Sequence, residues 1–315
     1  MLVSDDRNNI MPMWYFQYVG DEEPVRPDLL GLFPLITPDQ ATLGHVLDLA
    51  LSTGRPVYLI KEMPGVEVKV KTEAEGRLWR VLGPAVDGEP AYPLSAQLAG
   101  AVELTGYDRA PHSPRPGDTL QVGLYWEAQQ PLEVDYHSFV HLLDAGGQAV
   151  AQSDQQPGGV YYPTSLWRPG ERLRDDHFLT VPPGTPDGVY ALLAGMYALG
   201  GGGQLEPLGE PVVIGSIGIK ASVHTEPGSI SQPVGASFDD QIELLGYDAT
   251  PEDREVSITL HWRSIQVPRA DYTVFVHLLD SDGQVVSQHD GPPQDGAYPT
   301  SAWDAGEVVV DERTL

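Results

Sequence analysis

Two hydrophobic rhythms divide the chain. From Met11 to Gly20 the apolar and aromatic residues Met13, Trp14, Phe16 and Tyr18 fit a short helix with Pro12 in its first turn. Arg26–Phe33 reads as a strand. Pro38–Ser52 is spaced as a helix through Leu43, Val46, Leu47 and Ala50 and ends at Gly54, and Arg55–Ile60 reads as a further strand. With the strand-like start Met1–Ser4 the order is strand, helix, strand, helix, strand. That order predicts a small parallel sheet, completed by a hairpin over Val66–Leu82 that turns at Glu75-Gly76. From about residue 97 the pattern becomes short alternating runs cut by Pro and Gly: Val102–Tyr107, Thr119–Trp126, His137–Asp144, Ala149–Asp154, His177–Val181 and Val189–Leu199, closed by Pro207–Lys220. Strands at roughly ten-residue spacing with turn residues between them predict an antiparallel sandwich.

The second rhythm occurs twice. Residues 135–148 return 136 positions later as 271–284, with ten of fourteen identical, and the same offset carries Tyr162-Pro-Thr-Ser-Leu-Trp167 onto Tyr298-Pro-Thr-Ser-Ala-Trp303. The runs Ile242–Tyr247, Val256–Trp262, Thr273–Asp280 and Gln284–Asp290 repeat the strand order. The expected architecture is therefore α/β plus all-β. A small parallel α/β domain covers 1–94, an immunoglobulin-like β-sandwich 95–220, a Pro/Gly-containing linker 221–235, and a second such sandwich 236–315. The first copy runs on for some forty residues past Leu179, whereas the second stops at the equivalent Leu315. The second sandwich is thus expected to lack its closing strands. Either the chain is shortened or the natural protein has further residues, and self-association through the open sheet edge is a possible consequence.

Composition removes several function classes. In 315 residues there is no cysteine, which excludes disulfide frameworks and thiolate metal sites. The formal net charge of -27 disfavours nucleic acid and anionic lipid, both of which need clustered Lys and Arg. No apolar run approaches the length of a membrane-spanning helix. Neither a cofactor fingerprint nor a recognisable catalytic motif occurs, and no cofactor or resident metal is expected. Asp280-Ser-Asp-Gly283 begins like a calcium loop but lacks the downstream acidic ligands, so a hairpin turn accounts for it and for Asp144–Gly147. His141 and His277 share a strand face with Phe and Leu and read as sheet-face histidines satisfied by one hydrogen bond.

Two groups remain as candidate sites. The loops Gln156–Gly170 and Gly291–Gly306 keep two aromatics each. They could stack a pyranose on Trp167 or Trp303 with help from Tyr162, Thr164 and Ser165 or Tyr298, Thr300 and Ser301, or the aromatics could pin a long crossover loop onto the sandwich. Trp126 and Trp262, inside strands, are core. Asp5, Asp6 and Asn8 lie where a strand-to-helix loop of an α/β sheet usually meets a ligand, and they would equally serve as helix caps. A free-standing hydrolase or transferase would need those acids in a deep pocket with a second carboxylate.

The stretches Ser4-Asp-Asp-Arg-Asn8, Pro12-Met-Trp-Tyr-Phe-Gln17, Arg26-Pro-Asp28 and Gly54-Arg-Pro-Val-Tyr58 resemble the soluble part that follows the membrane helices in bacterial relatives of protein O-mannosyltransferases. The paired Phe-Val-His-Leu-Leu-Asp and Tyr-Pro-Thr-Ser-x-Trp modules are similar to β-sandwiches appended to such glycosyltransferase-39-like membrane proteins. In that family the catalytic acids lie in loops of the membrane domain, so the resemblance carries no catalytic residue onto this chain. It implies an extracytoplasmic, membrane-attached region that holds a glycan, a lipid-linked sugar acceptor or a neighbouring protein. A purely structural surface protein is the competing expectation.

Overall fold

The computed structural model describes residues 1–18, 28–35, 41–220, 224–252 and 255–315, and the chain is mostly β, with several antiparallel sheets and two helices. At the front, β1 (Leu2–Val3) lies parallel between β2 (Gly31–Leu32) and β3 (Val57–Leu59). The hairpin β4 (Val70–Glu75) and β5 (Leu78–Pro84) extends this sheet antiparallel to β3, giving the order β2-β1-β3-β5-β4. Parallel strands three residues long or fewer need helical cover. That comes from α2 (Leu43–Ser52), whose Leu43, Val46, Leu47 and Ala50 pack with Val3, Val57 and Leu59.

Several boundaries differ from the sequence reading; β3 spans Val57–Leu59 within the expected Arg55–Ile60, and the strand expected at His177 begins at Arg172. Helix α1 (Arg7–Tyr18) begins four residues before Met11 and carries Pro12 in its interior. The cause is a local cap. The Asp6 carboxylate accepts the Asn8 amide of the first turn at 2.8 Å, and the Ser4 hydroxyl holds Asp6 by accepting its amide at 3.1 Å, so the helix is started ahead of the apolar run. Helix α2 starts at Leu43, capped by Thr42, and Val66–Val68 forms a 3-10 turn before β4. Arg26 and Pro27 of the expected strand and Pro38–Gln40 of the expected helix lie outside the described residues.

The first sandwich faces two sheets across one core. One sheet runs β11-β8-β7-β6, built from β6 (Tyr92–Leu98), β7 (Val102–Ala110), β8 (Thr119–Ala128) and β11 (Arg172–Thr180). The other runs β10-β9-β12-β13, from β9 (His137–Leu143), β10 (Ala149–Gln155), β12 (Gly188–Leu199) and β13 (Leu205–Pro207), with β14 (Val212–Ile219) also paired to β12. Inward positions alternate: Leu120, Val122, Leu124 and Trp126 from β8 meet Val140 and Leu142 from β9 and Leu192, Ala194 and Met196 from β12. Val68, from the front segment, belongs to the same buried cluster.

Residues 232–315 rebuild only part of this plan. A four-stranded sheet β15-β16-β17-β20, from β15 (Gln232–Phe238), β16 (Ile242–Pro251), β17 (Val256–Ser264) and β20 (Val308–Thr314), matches β6, β7, β8 and β11. Opposite it, among the described residues, stands only the hairpin β18 (Val274–Leu279) and β19 (Val285–Gly291), the copies of β9 and β10. The duplication reaches further back than the 136-residue offset indicates. Glu103-Leu-Thr-Gly-Tyr-Asp108 recurs as Glu243-Leu-Leu-Gly-Tyr-Asp248 at an offset of 140, because the connection between β7 and β8 is four residues longer than that between β16 and β17. Both edge pairs carry the same bulge, after Pro93 and after Pro233.

Candidate functional site

Both Tyr-Pro-Thr-Ser-x-Trp loops fold alike, and the shared Tyr, Thr and Trp side chains in them are occupied internally. The Trp167 indole is 2% exposed and that of Trp303 0%. Each donates Nε1–H to the carbonyl six-residue motif's own first member, Tyr162 at 3.3 Å and Tyr298 at 3.2 Å. Buried Thr164 accepts the Tyr136 amide at 2.8 Å and buried Thr300 the Tyr272 amide at 2.9 Å. The backbone amides of Ser165 and Ser301 donate to Asp135 and Asp271, the residues that open the repeated segment. Both indoles are buried, so neither ring is presented on the surface of its loop, and Trp303 borders only the cleft inside the second sandwich. Their geometry is that of pins holding a long crossover loop to the core.

What the loops do present is a phenol directed at the module in front. In the first copy, Tyr162 donates to both oxygens of Glu171, at 2.7 and 2.9 Å, and Lys69 of the front segment ion-pairs with the same carboxylate while standing over the Tyr162 ring at 5.4 Å. Asp48 of α2 bridges Lys69, at 2.9 Å, and Arg168. In the second copy, Tyr298 donates to Glu307 at 2.9 Å, and Lys220, which directly follows β14 of the first sandwich, contacts Tyr298, Glu307 at 2.7 Å and Asp304 at 3.0 Å. Burial first, and the neighbouring carboxylate second, push both phenols well above the usual tyrosine range, so they remain donors. The module behind thus grips a lysine of the module ahead, twice, with the same Tyr–Glu pair. Arg109 of β7 adds a second tie across the later junction by donating to the Ser301 carbonyl at 3.2 Å.

Sequence reasoning found Tyr162 and Tyr298 but not their partners. Gly170-Glu171 recurs as Gly306-Glu307 at the same 136-residue offset, but nothing in that pair points to a partner, and Lys69 and Lys220 sit in dissimilar sequence. A position in α2 records how tight the first junction is. A Cβ on Gly44 would lie 2.4 Å from the Tyr162 hydroxyl and 2.6 Å from its ring. Alanine is the better helix former, yet the phenol is fully buried and cannot retreat. Gly44→Ala is expected to destabilise the packing of α2 on the first sandwich by about 1–3 kcal/mol, read as faster hydrogen exchange in α2 with little change in β16–β20. Unchanged exchange would mean that the junction yields.

The remaining candidates form no catalytic arrangement. Asp5 pairs with Lys61 at 2.9 Å, whereas Asp6 and Asn8 are taken up by the cap of α1, and among the described residues no further carboxylate is shown joining them. An unpredicted polar trio, Ser138, Asp175 and His177, lies in the core at 0–1% exposure. Its serine hydroxyl donates to Asp175 rather than standing free beside the imidazole, and Nε2 of His177 is 3.0 Å from both partners. Substrate has no access, and the second copy keeps only the acid, as Asp311 paired with buried Arg313 at 2.9 Å. It is a satisfied buried network. His141 and His277 lie on the outer sheet face and meet Asp154 and Asp290 at 3.3 and 3.1 Å. The Asp144 and Asp280 carboxylates each accept two backbone amides of their own turn, all at 2.9 Å. Among the described residues no group of three or more His, Asp or Glu side chains is placed to hold a metal ion.

Two clefts accompany these features. One of about 600 Å³ lies at the first junction beside Lys69, Arg168 and Glu171, where both cations are already neutralised by Asp48 and Glu171. The other, about 500 Å³, opens inside the second sandwich and is lined by Leu244, Leu260, Trp262, Val274, Val276 and Trp303 among others. Compared with known proteins, the sequence matches no family model and no curated relative.

Proposed function

We propose that this chain is a non-catalytic strut and recognition region, an α/β unit followed by two immunoglobulin-like sandwiches held end to end. The observation that carries the reading is the repeated lock. A spacer must transmit position, and two junctions that each bury a lysine against a Tyr–Glu pair resist bending far better than the exposed polar linkers of independent domains. The polar residues that an enzyme would use are consumed by caps, turns and the buried trio, which favours a scaffold over a reaction centre. On the resemblance of its front segment and modules, the strut stands on the outer side of a membrane. There it keeps a glycan, lipid-linked acceptor or protein within reach of a sugar transferase. The absence of cysteine makes a direct test simple, since single labels can be introduced cleanly. Spin labels at Glu75→Cys with Ala145→Cys, and at Ala145→Cys with Ser281→Cys, all on exposed positions, should give one narrow distance distribution per pair. Broad distributions would overturn the strut.

A further inference from the structure

The connection from β7 to β8, residues 111–118, brings a histidine to the second junction, whereas its four-residue counterpart, 252–255, contains none. His112 is half-buried there. From the first sandwich it faces Tyr92 of β6, Arg109 of β7 and Lys220 after β14, and from the second it faces the backbone of Trp303 and the carboxylate of Asp304. Its Nδ1 lies 3.2 Å from the Tyr92 hydroxyl and 3.3 Å from a guanidinium nitrogen of Arg109. A guanidinium has no acceptor, so Nδ1 is the acceptor and the single ring proton sits on Nε2, which is buried and makes no hydrogen bond among the described residues. Arg109 is held in three ways. It stands over the Tyr92 ring at 4.9 Å, donates to the Ser216 carbonyl on β14 and, across the junction, donates to the Ser301 carbonyl at 3.2 Å. Tyr92 in turn stacks on Tyr107 at 4.8 Å, and Tyr107 feels the charge of Asp271 in the second sandwich.

We propose that His112 makes the second junction an acid-responsive hinge, in which protonation of the imidazole drives Arg109 from the Ser301 carbonyl and loosens the second sandwich from the first. The added proton must go onto Nδ1, against a guanidinium that cannot retreat without giving up its tie across the junction. Two cations in contact at a half-buried site repel far more strongly than in water. The surroundings act in the same direction. Burial first, and Arg109 second, hold the imidazole below the ordinary histidine range, and the pull of Asp304 and of the Trp303 backbone toward the charged form offsets only part of this. Opening the junction returns the ring to water, where it titrates near about 6.5. Below that value the open form binds more protons than the closed one. The closed junction therefore keeps its full stability above about pH 6.5 and loses it as the pH falls toward the lower value of the buried ring. The inference rests on the strut reading, since a hinge has meaning only if the junction is closed at neutral pH, and it supplies the condition that releases the spacing.

The test uses the full 315-residue chain and compares amide exchange, corrected for its intrinsic pH dependence, at about pH 7.5 and about pH 5, on either side of the ordinary histidine value. The Trp303 and Asp304 amides, which close the loop facing His112, should lose protection by at most about tenfold for each pH unit below 6.5, the limit for one proton, while the Leu124 and Trp126 amides of β8 keep theirs. His112→Gln, which can still accept from Arg109 but cannot gain a charge, should flatten the response. A flat response in the parent chain, or an undiminished one in His112→Gln, would overturn the hinge. So would equal loss at Leu124 and Trp126, since acid would then be loosening the fold in general. Nitrogen-15 NMR of the parent imidazole decides the matter even if the variant fails to fold. The Nε2–H tautomer is expected at pH 7.5, and an Nδ1–H tautomer refutes the proposal because Arg109 could not donate to that nitrogen. The strut fails by a separate measurement. A broad Ala145→Cys/Ser281→Cys distance distribution at pH 7.5 removes the strut, whereas a narrow one with pH-independent exchange removes the hinge alone.

Discussion

Lys220→Ala is expected to cost the second sandwich about 3–5 kcal/mol, the loss that follows when a buried ion pair is left with one partner. Among the described residues Lys220 is the only cation ion-paired with the two carboxylates of its lock, Asp304 and Glu307, with Glu307 at 5% side-chain exposure. Without it two negative charges face each other beneath the Tyr298 ring. The first lock is built differently. Lys69→Ala leaves Arg168 between Asp48 and Glu171, so its cost should be clearly smaller. Hydrogen exchange resolved to β20 for Lys220→Ala, and to α2 and β11 for Lys69→Ala, measures both. Equal losses would show that the count of charges in each lock is not what matters. The combined change Lys220→Met, Asp304→Asn, Glu307→Gln should recover most of the stability, because it removes the desolvated charge along with its partners.

Trp303→Ala should unfold the second sandwich, whereas Trp167→Ala should leave the first one folded. Both indoles are buried, and truncating either costs roughly 3–5 kcal/mol. The difference lies in what remains. Around Trp303 the buried cluster is Ile242, Leu260, Trp262 and Val309, facing an open cleft. Around Trp167 the buried cluster continues through two full sheets, from Leu98 and Val102 to Ile217 and Ile219. A domain holds only about 5–15 kcal/mol in total, and one that lacks the β12 and β14 positions belongs at the low end. Loss of amide protection throughout β16–β20 in Trp303→Ala, with protection in β7–β12 retained in Trp167→Ala, is the expected result. Retained protection in both would mean that the incomplete sandwich draws stability from outside its own core.

The repeat also shows how far local pattern reaches. Most strand positions from Val102 to Asp290 were legible because alternation is a property of a few consecutive residues, and the duplication supplied a second reading of four of them, although β11 begins at Arg172, five residues ahead of the expected His177. The edge strands β6 and β15 were not. Their alternation is half-exposed and broken by a bulge at Pro93 and Pro233, so neither run looks apolar enough to count. Helix α1 was placed late for a related reason, since its start is fixed by hydrogen bonds from Ser4 and Asp6 and not by apolar spacing. At the candidate site the motif itself was plain. Its role was not, because a Trp in a Gly/Pro-rich loop has the same sequence whether its ring faces water or the core.

By itself, then, the chain determined what depends on near neighbours: two copies of one β module, a helical front segment, turns at Asp144 and Asp280, and a strongly acidic net charge. Tertiary structure alone decided which partners those residues meet. Lys69 lies 102 residues from Glu171 and Lys220 87 from Glu307, with no shared local pattern to announce either pair. The same holds for the free edge of β18. Its sequence nearly repeats that of β9, and although the repeat already indicated that closing strands are missing from the second copy, only the packing of the fold shows that the gap falls beside β18 and takes the form of an apolar cleft. Burial and pairing are properties of the whole arrangement, so identical segments acquire different roles when their surroundings differ.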